Sequence, residues 1–188
     1  CIGTVLSGWF RTDLLASWMN VVAVRDPSAQ FEIVTRDDAL LVRKALDPTN
    51  NLSERLNISS QPSKDMPDVL RVHDLSIMFF FSGLSKLGSA PTRLAEVLGC
   101  GLPVVANEGV GDVAEIIREN NVGVIIEGES EEDIHNAFNT LHNLMQDIDL
   151  SIRCRAAAKA IFSLESGTEV YGNIYTEILK SKDSSCVV

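Results

Sequence analysis

Short apolar runs alternate along the chain with longer segments in which apolar residues recur every three or four positions. The short runs predict strands that are buried on both faces, and the longer segments predict amphipathic helices. In the clearest block, the run at 77–81 precedes a helix from Thr92, and the run at 102–106 precedes a helix from Asp112. Two consecutive strand–loop–helix units of this kind are typical of a parallel sheet.

The rest of the chain continues the same order. Predicted strands cover residues 1–7, 31–36, 56–60, 77–81, 102–106 and 123–126. Predicted helices cover residues 12–23, 37–46, 63–71, 92–98, 112–120, 130–146 and 151–162, and a last helix follows a break at 165–168. About six strands alternating with helices predict an α/β fold with a Rossmann-like doubly wound parallel sheet. We expect a single domain over residues 1–188, in which residues 181–188 form a polar tail.

The loops after the two central strands lie at the carboxyl edge of the predicted sheet, where open α/β folds bind ligands. The turn before Thr92 presents free backbone N–H groups at the positive end of a helix, so we expect it to bind a phosphate group. Pro91 has no N–H and cannot donate. The candidate donors are the backbone amides of Ser89, Ala90, Thr92 and Arg93, the Thr92 hydroxyl and the Arg93 guanidinium.

Glu96 follows about one helical turn after this phosphate site. Helical side chains lean toward the N-terminus, so its carboxylate could accept hydrogen bonds from two ribose hydroxyls. A simpler interpretation is that Arg93 and Glu96 form an i,i+3 ion pair on the surface of an ordinary helix. The local sequence leaves both interpretations open.

Composition narrows the range of functions. The chain has 188 residues, of which 45% are hydrophobic and 22% charged, as is ordinary for a globular domain with a sizeable core. The formal net charge of −10 disfavours binding to nucleic acids and anionic membrane surfaces, although a helix end and local cations can still hold a small anion. No run approaches the roughly 20 apolar residues of a membrane-spanning helix.

The residues that commonly bind metals show no pattern of a metal site. The four cysteines form no C-x-x-C pair, so we expect them to be reduced in a cytoplasmic protein. The three histidines share no spacing with acidic or cysteine partners, and no D-x-D pair follows a strand. We therefore expect no metal ion.

Residues 85–112 carry the most specific pattern, SKLGSAPTRLAEVLGCGLPVVANEGVGD. This run resembles the donor-binding segment of GT-B glycosyltransferases of the family 4 type, also called glycosyl transferases group 1. It is similar to the branch written S-K-x-x-S-x-P-T-K-x-x-E-x-x-x-x-G-x-P-V-V-x-N-x-G-V-G-D, with Arg93 in place of the usual Lys. The resemblance implies that the predicted sheet is one half of a GT-B fold.

The resemblance also implies a function. The chain would be the C-terminal, nucleotide-sugar-binding domain of a retaining glycosyltransferase, which transfers a sugar from a nucleoside-diphosphate sugar to an acceptor in carbohydrate or polysaccharide biosynthesis. The N-terminal acceptor domain would be missing from this chain, which starts without Met in a predicted strand and is expected to come from a longer polypeptide. We therefore expect this domain alone to be inactive. The donor is a substrate, and no cofactor is implied.

The predicted donor site combines three loops, and no catalytic residue is assigned. Its residues are Ser7, Gly8, Lys86, Ser89, Ala90, Thr92, Arg93, Glu96, Gly109, Val110 and Gly111. The glycines of the last loop are expected to let the backbone approach the sugar or the phosphates. The run at 109–114 also matches the dinucleotide fingerprint G-x-G-x-x-A. That fingerprint belongs on the first strand–helix turn of its fold, and this run follows about the fifth strand, so we expect no NAD or FAD site.

Two positions depart from the resembled pattern. Gly88 stands eight positions before Glu96, where the E-x7-E motif has its first acid, so the acid that contacts the sugar is absent there. The first loop also lacks the usual Arg and Lys that hold the diphosphate, and Arg11 is the only cation near it in sequence. We expect Lys86 and Arg93 to supply this charge instead.

Two other functions are compatible with this fold. A nucleotide-sugar epimerase shares the two-domain architecture, and it would release a free sugar epimer without an acceptor. A non-enzymatic α/β regulatory domain such as a receiver would need an acidic cluster after the first strand, and residues 4–8 provide none.

The last predicted helix carries an apolar stripe at helical spacing. Its members are Val170, Tyr171, Ile174, Tyr175 and Ile178. In the resembled family this helix crosses to the other domain, whereas in the alternative it packs on its own domain. The sequence leaves both arrangements open.

Overall fold

The computed structural model describes residues 1–184; the last four residues of the predicted tail, with Cys186, lie outside the described part. The described residues form eight α-helices and five β-strands that alternate for most of the chain. The order is α1 Thr12–Arg25, β1 Phe31–Val34, α2 Ala39–Leu46, β2 Leu56–Ser59, α3 Met66–Arg71, β3 Ser76–Met78, α4 Thr92–Gly99, β4 Val104–Asn107, α5 Val113–Asn120, β5 Gly123–Ile126, α6 Glu131–Leu144, α7 Leu150–Phe162 and α8 Leu164–Ser184.

The strands are parallel, as predicted, but they form two sheets among the described residues. The first sheet contains β1 and β2, and the second has the order β3-β4-β5. Helices cover both faces of the second sheet, because alternate residues of a strand point to opposite sides. Ile77 and Val105 join one hydrophobic cluster with α1 and α6, whereas Met78 and Val104 join another with α4, α5 and α7. This confirms the doubly wound α/β architecture.

The predicted first strand at 1–7 is wrong in its extent. Ile2 makes a single parallel bridge to Val34, and pairing then stops. Gly3 has φ +96°, which takes the backbone out of the extended conformation. The next backbone N–H groups, of Val5 and Leu6, donate instead to one Asp37 carboxylate oxygen at 2.7 and 3.0 Å.

The strand predicted at 77–81 is also shorter than expected. It ends at Met78, and Phe80 pairs only through an isolated antiparallel bridge to Phe10. The Asn107 side chain takes over the role of a neighbouring strand, because it bonds both the N–H and the carbonyl oxygen of Phe80, each at 2.8 Å. The loop after β3 therefore leaves the sheet early and is held by side chains.

The break predicted at 165–168 is absent, since α8 begins at Leu164 and runs to Ser184, into the predicted tail. The interruption between α7 and α8 falls at Ser163, whose hydroxyl accepts a hydrogen bond from the Ser166 N–H at 3.2 Å. This contact caps α8, which begins at Leu164 and not after the predicted break at 165–168.

The apolar stripe on α8 is exposed. The stripe residues Val170, Tyr171, Ile174, Tyr175 and Ile178 are each between 46% and 66% exposed. The stripe therefore does not pack into the cores of the described chain. No helix in the described part of the chain is both long and apolar enough to span a membrane.

Candidate functional site

The loops that follow β3 and β4 meet at the carboxyl edge of the second sheet. The backbone N–H of Gly111 donates to the carbonyl oxygen of Lys86 at 2.8 Å. Gly111 has φ +48°, and a Cβ there would collide with the Ser89 carbonyl group. Gly109 has φ +83°, and a Cβ there would press on the Ser82 side chain. The space that these two glycines leave open is thus filled by the neighbouring loop, whereas the sequence predicted a ligand in that place.

A third loop, residues 5–11, lies beside the loop after β3. The Phe81 N–H donates to the Trp9 carbonyl oxygen at 3.0 Å, and the Arg11 N–H donates to the Phe79 carbonyl oxygen at 3.0 Å. Phe10 is buried, and its ring meets that of Phe80 edge-on at 5.7 Å between centroids. Gly8 is exposed, and a Cβ at this position would meet no atom within 4 Å. The first loop thus presents an open surface next to the other two loops.

Two of the cations around these loops are neutralised. Arg11 pairs with Asp13 at 2.6 Å and with Glu129 at 2.5 Å, and these hydrogen bonds raise the pKa of its guanidinium. Arg118 pairs with Glu108 and with Glu127, which directly follows β5. Acidic partners therefore already balance the charge of both arginines, and neither is available to pair with a ligand.

Lys86 connects the first loop with the loop after β3. Its ammonium lies 4.2 Å from the centroid of the Trp9 ring, in a cation–π contact. Among the ion pairs of the described residues, none includes Lys86. Its charge is therefore available at this edge.

Arg93 points away from its helix. Its guanidinium donates to the carbonyl oxygen of Ile2 and lies against Gly3, where a Cβ would overlap it. Burial lowers the pKa of Arg93, while the charge of Glu96 opposes this effect. No ion pair in the described part of the chain joins Arg93 to Glu96, and the Glu96 side chain is exposed. The predicted surface ion pair is therefore not formed, and Glu96 stands at an open surface.

The N-terminus of α4 keeps part of its predicted donor set. Its N-cap, Pro91, makes no side-chain capping bond. Within the described residues, the N–H groups of Ala90, Thr92 and Arg93 have no hydrogen-bond partner, whereas the Ser89 N–H donates to the Lys86 carbonyl oxygen at 3.0 Å. Three of the four predicted amides are therefore free to bind an anion.

The main cavity of the described residues does not lie at the candidate site. A cavity of about 740 Å³ lies at the opposite, amino-terminal edge of the strands, between β1 and β3. Its apolar lining includes Trp18, Ile33, Ile77 and Phe138. None of the three site loops lines this cavity, so it is separate from the candidate site at the carboxyl edge.

Comparison with protein families identifies the family of this chain. The family model described as glycosyl transferases group 1 matches residues 2–144. The chain belongs to this family. Among curated proteins, sequence comparison finds no relative of the chain.

Solved structures agree with this family. A glycosyltransferase from Rickettsia africae superposes with a TM-score of 0.72 at 18% identity, over 95% of this chain and 47% of its own. HepE from Anabaena, in complex with UDP-glucose, gives 0.70 at 18% identity, over 94% of this chain and 48% of its own. A sucrose-phosphate synthase from Thermosynechococcus elongatus gives 0.67 at 18% identity, over 96% and 45%. These likenesses show the GT-B Rossmann-like fold, and the chain spans less than half of each of these proteins.

Most of the predicted site residues of this glycosyltransferase-family chain lie at the same edge, but not all can present a side chain. Val110 is buried in the core beneath α4 and α5, so its side chain anchors the loop. The Ser7 carbonyl oxygen accepts the Phe10 N–H at 3.2 Å and closes the turn of the first loop. The roles of the individual residues in donor binding stay predictions.

Sequence reasoning missed three residues that organise the site. Asp37 holds the first loop by two backbone N–H groups, and Asn107 holds the loop after β3. Trp9 receives the Lys86 ammonium. Asn107 belongs to the quoted pattern and could have been found there, whereas the contacts of Asp37 and Trp9 join segments far apart in sequence.

Proposed function

We propose that this chain is the donor-binding domain of a retaining glycosyltransferase and holds a nucleoside-diphosphate sugar at the carboxyl edge of its sheet. The observation that carries the proposal is the set of unpaired donors at one edge: three free amides before and within the first turn of α4, with the unpaired ammonium of Lys86 in the preceding loop. The Arg93 guanidinium donates to the Ile2 carbonyl oxygen and is not part of this set. Family membership supports sugar transfer as the reaction of the whole enzyme.

In this proposal the diphosphate binds at the N-terminus of α4. The helix dipole and the amides of Ala90, Thr92 and Arg93 favour an anion there. Negative charge builds up on the diphosphate as its bond to the sugar breaks, and fixed donors that stabilise this charge lower the barrier. Lys86 has no acidic partner among the described ion pairs, so it can add its full charge.

Glu96 would bind the ribose. Its carboxylate is exposed about one turn further along α4, so it can accept two hydroxyl hydrogen bonds without facing the phosphates.

The acceptor would bind to a second domain. The chain spans less than half of each similar structure reported above, and the exposed stripe on α8 offers an apolar surface for a further domain. We infer that the isolated chain binds the donor weakly and transfers little or no sugar. Retention of anomeric configuration is inferred from the family 4 type of the motif at 85–112.

Calorimetric titration tests the proposal. UDP, GDP, UDP-glucose, UDP-N-acetylglucosamine and GDP-mannose are each titrated into the chain and into Glu96→Ala. If two ribose hydrogen bonds are lost, the substitution should cost about 2 kcal/mol, or roughly 30-fold in affinity. Glu119→Ala, which removes an exposed glutamate from α5, is the matched control and should bind as the parent chain does.

The outcomes separate the parts of the proposal. Absence of binding by every nucleotide and sugar nucleotide would rule out the donor-binding function. Unchanged affinity in Glu96→Ala, with normal binding by the parent chain, would remove the ribose role of Glu96 alone. Rapid transfer of sugar to an acceptor by the isolated chain would contradict the need for a second domain.

A further inference from the structure

One indole of this chain is held in place at the proposed donor site. Trp9 is 57% exposed, whereas the second tryptophan, Trp18, is 1% exposed in the core. The Trp9 carbonyl oxygen accepts the Phe81 N–H, and the next residue, Phe10, is buried against Phe80. The Phe10 N–H also donates to the Ser7 carbonyl oxygen, which closes a turn around Trp9. A large apolar ring is therefore kept at the surface by a rigid backbone.

Lys86 ties this indole to the phosphate-binding loops. Its ammonium lies 4.2 Å from the Trp9 ring centroid. Its carbonyl oxygen accepts the N–H groups of Ser89 and Gly111, at 3.0 and 2.8 Å. The indole is thus one lysine side chain away from the point where the two loops meet.

The space near this indole is open. A Cβ at Gly8, Gly83 or Gly88 would meet no atom within 4 Å. Gly88 also leaves the site without the acid that the E-x7-E motif would direct at the sugar. The first loop and the loop after β3 are therefore uncrowded at these three glycines, and position 88 supplies no carboxylate.

The order of groups along the chain matches the order of parts in a nucleoside-diphosphate sugar. Glu96 lies about one turn into α4, the free amides lie at the α4 N-terminus, and Lys86, in contact with Trp9, lies in the loop that precedes them. If the ribose binds at Glu96 and the diphosphate at the amides, the sugar extends toward Trp9.

We propose that Trp9 is the platform on which the hexose ring of the donor stacks. The inference rests on the proposed donor-binding function. A pyranose ring presents C–H groups on one face and hydroxyl groups at its edge, so it can pack an apolar face on the indole while its hydroxyls stay in water. The Lys86 ammonium already lies over this indole, 4.2 Å from its centroid, so the sugar ring packs on the part of the 57% exposed indole that Lys86 leaves uncovered.

Two measurements test this. Trp18 is buried, so quenching of tryptophan fluorescence by acrylamide reports mainly on Trp9. The ligands are those of the titration panel: UDP, GDP, UDP-glucose, UDP-N-acetylglucosamine and GDP-mannose. A sugar nucleotide that binds should protect Trp9 from acrylamide. The nucleotide without the sugar, UDP or GDP, should not. Trp9→Ala should weaken that sugar nucleotide about fivefold, equivalent to ~1 kcal/mol, and leave the parent nucleotide unchanged.

Matched variants identify the cause. Trp9→Phe keeps an aromatic face and should retain most of the affinity for the sugar nucleotide. Tyr171→Ala removes an exposed aromatic ring from α8 and should change nothing. Should Trp9→Ala fail to fold, the acrylamide result on the parent chain decides the question.

The failures are distinguishable. If the parent chain binds no member of the panel, the donor-binding function fails and this inference fails with it. If a sugar nucleotide binds but Trp9→Ala leaves its affinity unchanged, the platform is wrong while donor binding stands. Equal weakening of nucleotide and sugar nucleotide would mean that Trp9 contacts the nucleotide, which also overturns the inference.

Discussion

The side-chain amide of Asn107 forms two hydrogen bonds with the backbone of Phe80. Its oxygen accepts the Phe80 N–H at 2.8 Å, and its nitrogen donates to the Phe80 carbonyl oxygen at 2.8 Å. The amide thus imitates a strand at the point where β3 has ended, and it holds the start of the loop that leads to Lys86 and α4.

Removing this amide should loosen the loop. Asn107→Ala leaves the half-buried N–H and carbonyl of Phe80 without these partners, and we expect a loss of about 1–3 kcal/mol in the free energy of unfolding. Denaturant titration measures the loss. Asn107→Asp can still accept a hydrogen bond but cannot donate one, so its stability should lie between those of the parent chain and Asn107→Ala. Equal stability of all three proteins would show that the contact is dispensable.

Gly111 should not tolerate a side chain. Gly111→Ala places a Cβ against the Ser89 carbonyl group at φ +48°, so the two loops must separate. We expect a loss of about 1–3 kcal/mol in stability and weaker nucleotide binding, measured by thermal unfolding and calorimetry. The control is Gly172→Ala in α8, where the added Cβ meets no atom; it should stabilise the helix slightly. A fully stable, binding-competent Gly111→Ala would show that the loops can part freely.

Lys86 should contribute more to diphosphate binding than to the stability of the fold. Lys86→Met keeps the length of the side chain but removes the ammonium, so diphosphate affinity should fall about tenfold and depend less on salt concentration. The melting temperature should fall only slightly, because the ammonium makes no ion pair among the described residues and its cation–π contact with Trp9 contributes about 0.5–1 kcal/mol. Lys44→Met, an exposed lysine on α2, serves as the comparison. Unaltered affinity and salt dependence in Lys86→Met would place the diphosphate elsewhere.

Cys154 should make stability depend on alkaline pH. Burial raises the pKa of this thiol from 9.0 to about 11. The folded chain therefore holds the thiol proton more tightly than the unfolded chain, so the contribution to stability is full below pH 9 and is lost as the pH rises to about 11. Denaturant titrations between about pH 8 and 10.5 cover most of this range. The free energy of unfolding should fall more steeply with pH for the parent chain than for Cys154→Ala. Identical slopes would mean that the thiol is as accessible to ionisation in the folded chain as in the unfolded one.

Local sequence signals predicted the elements well where neighbouring residues suffice. The Asp38 carboxylate accepts the N–H groups of Leu40 and Leu41 at the start of α2. Ser130 and Asp133 form a reciprocal capping box at the start of α6. These caps, and the alternation of apolar runs, act within a few residues, so the sequence specifies them directly.

Long-range contacts decided what the local pattern could not. The periodicity predicted a full first strand, but Gly3 and the carboxylate of Asp37 redirect it after one bridge. Arg11 is the nearest cation to the first loop in sequence, yet two carboxylates neutralise it, and Lys86 reaches that loop instead.

By itself, the sequence determined the order of strands and helices, their caps and the family motif at 85–112, because these depend on residues within a turn or a strand of one another. Only the tertiary structure decided which donors are free, that the glycines at 109 and 111 face a neighbouring loop, and that Trp9 stands beside Lys86. Those outcomes depend on side chains brought together from distant parts of the chain, and their pairing lowers the free energy only once the sheet has folded.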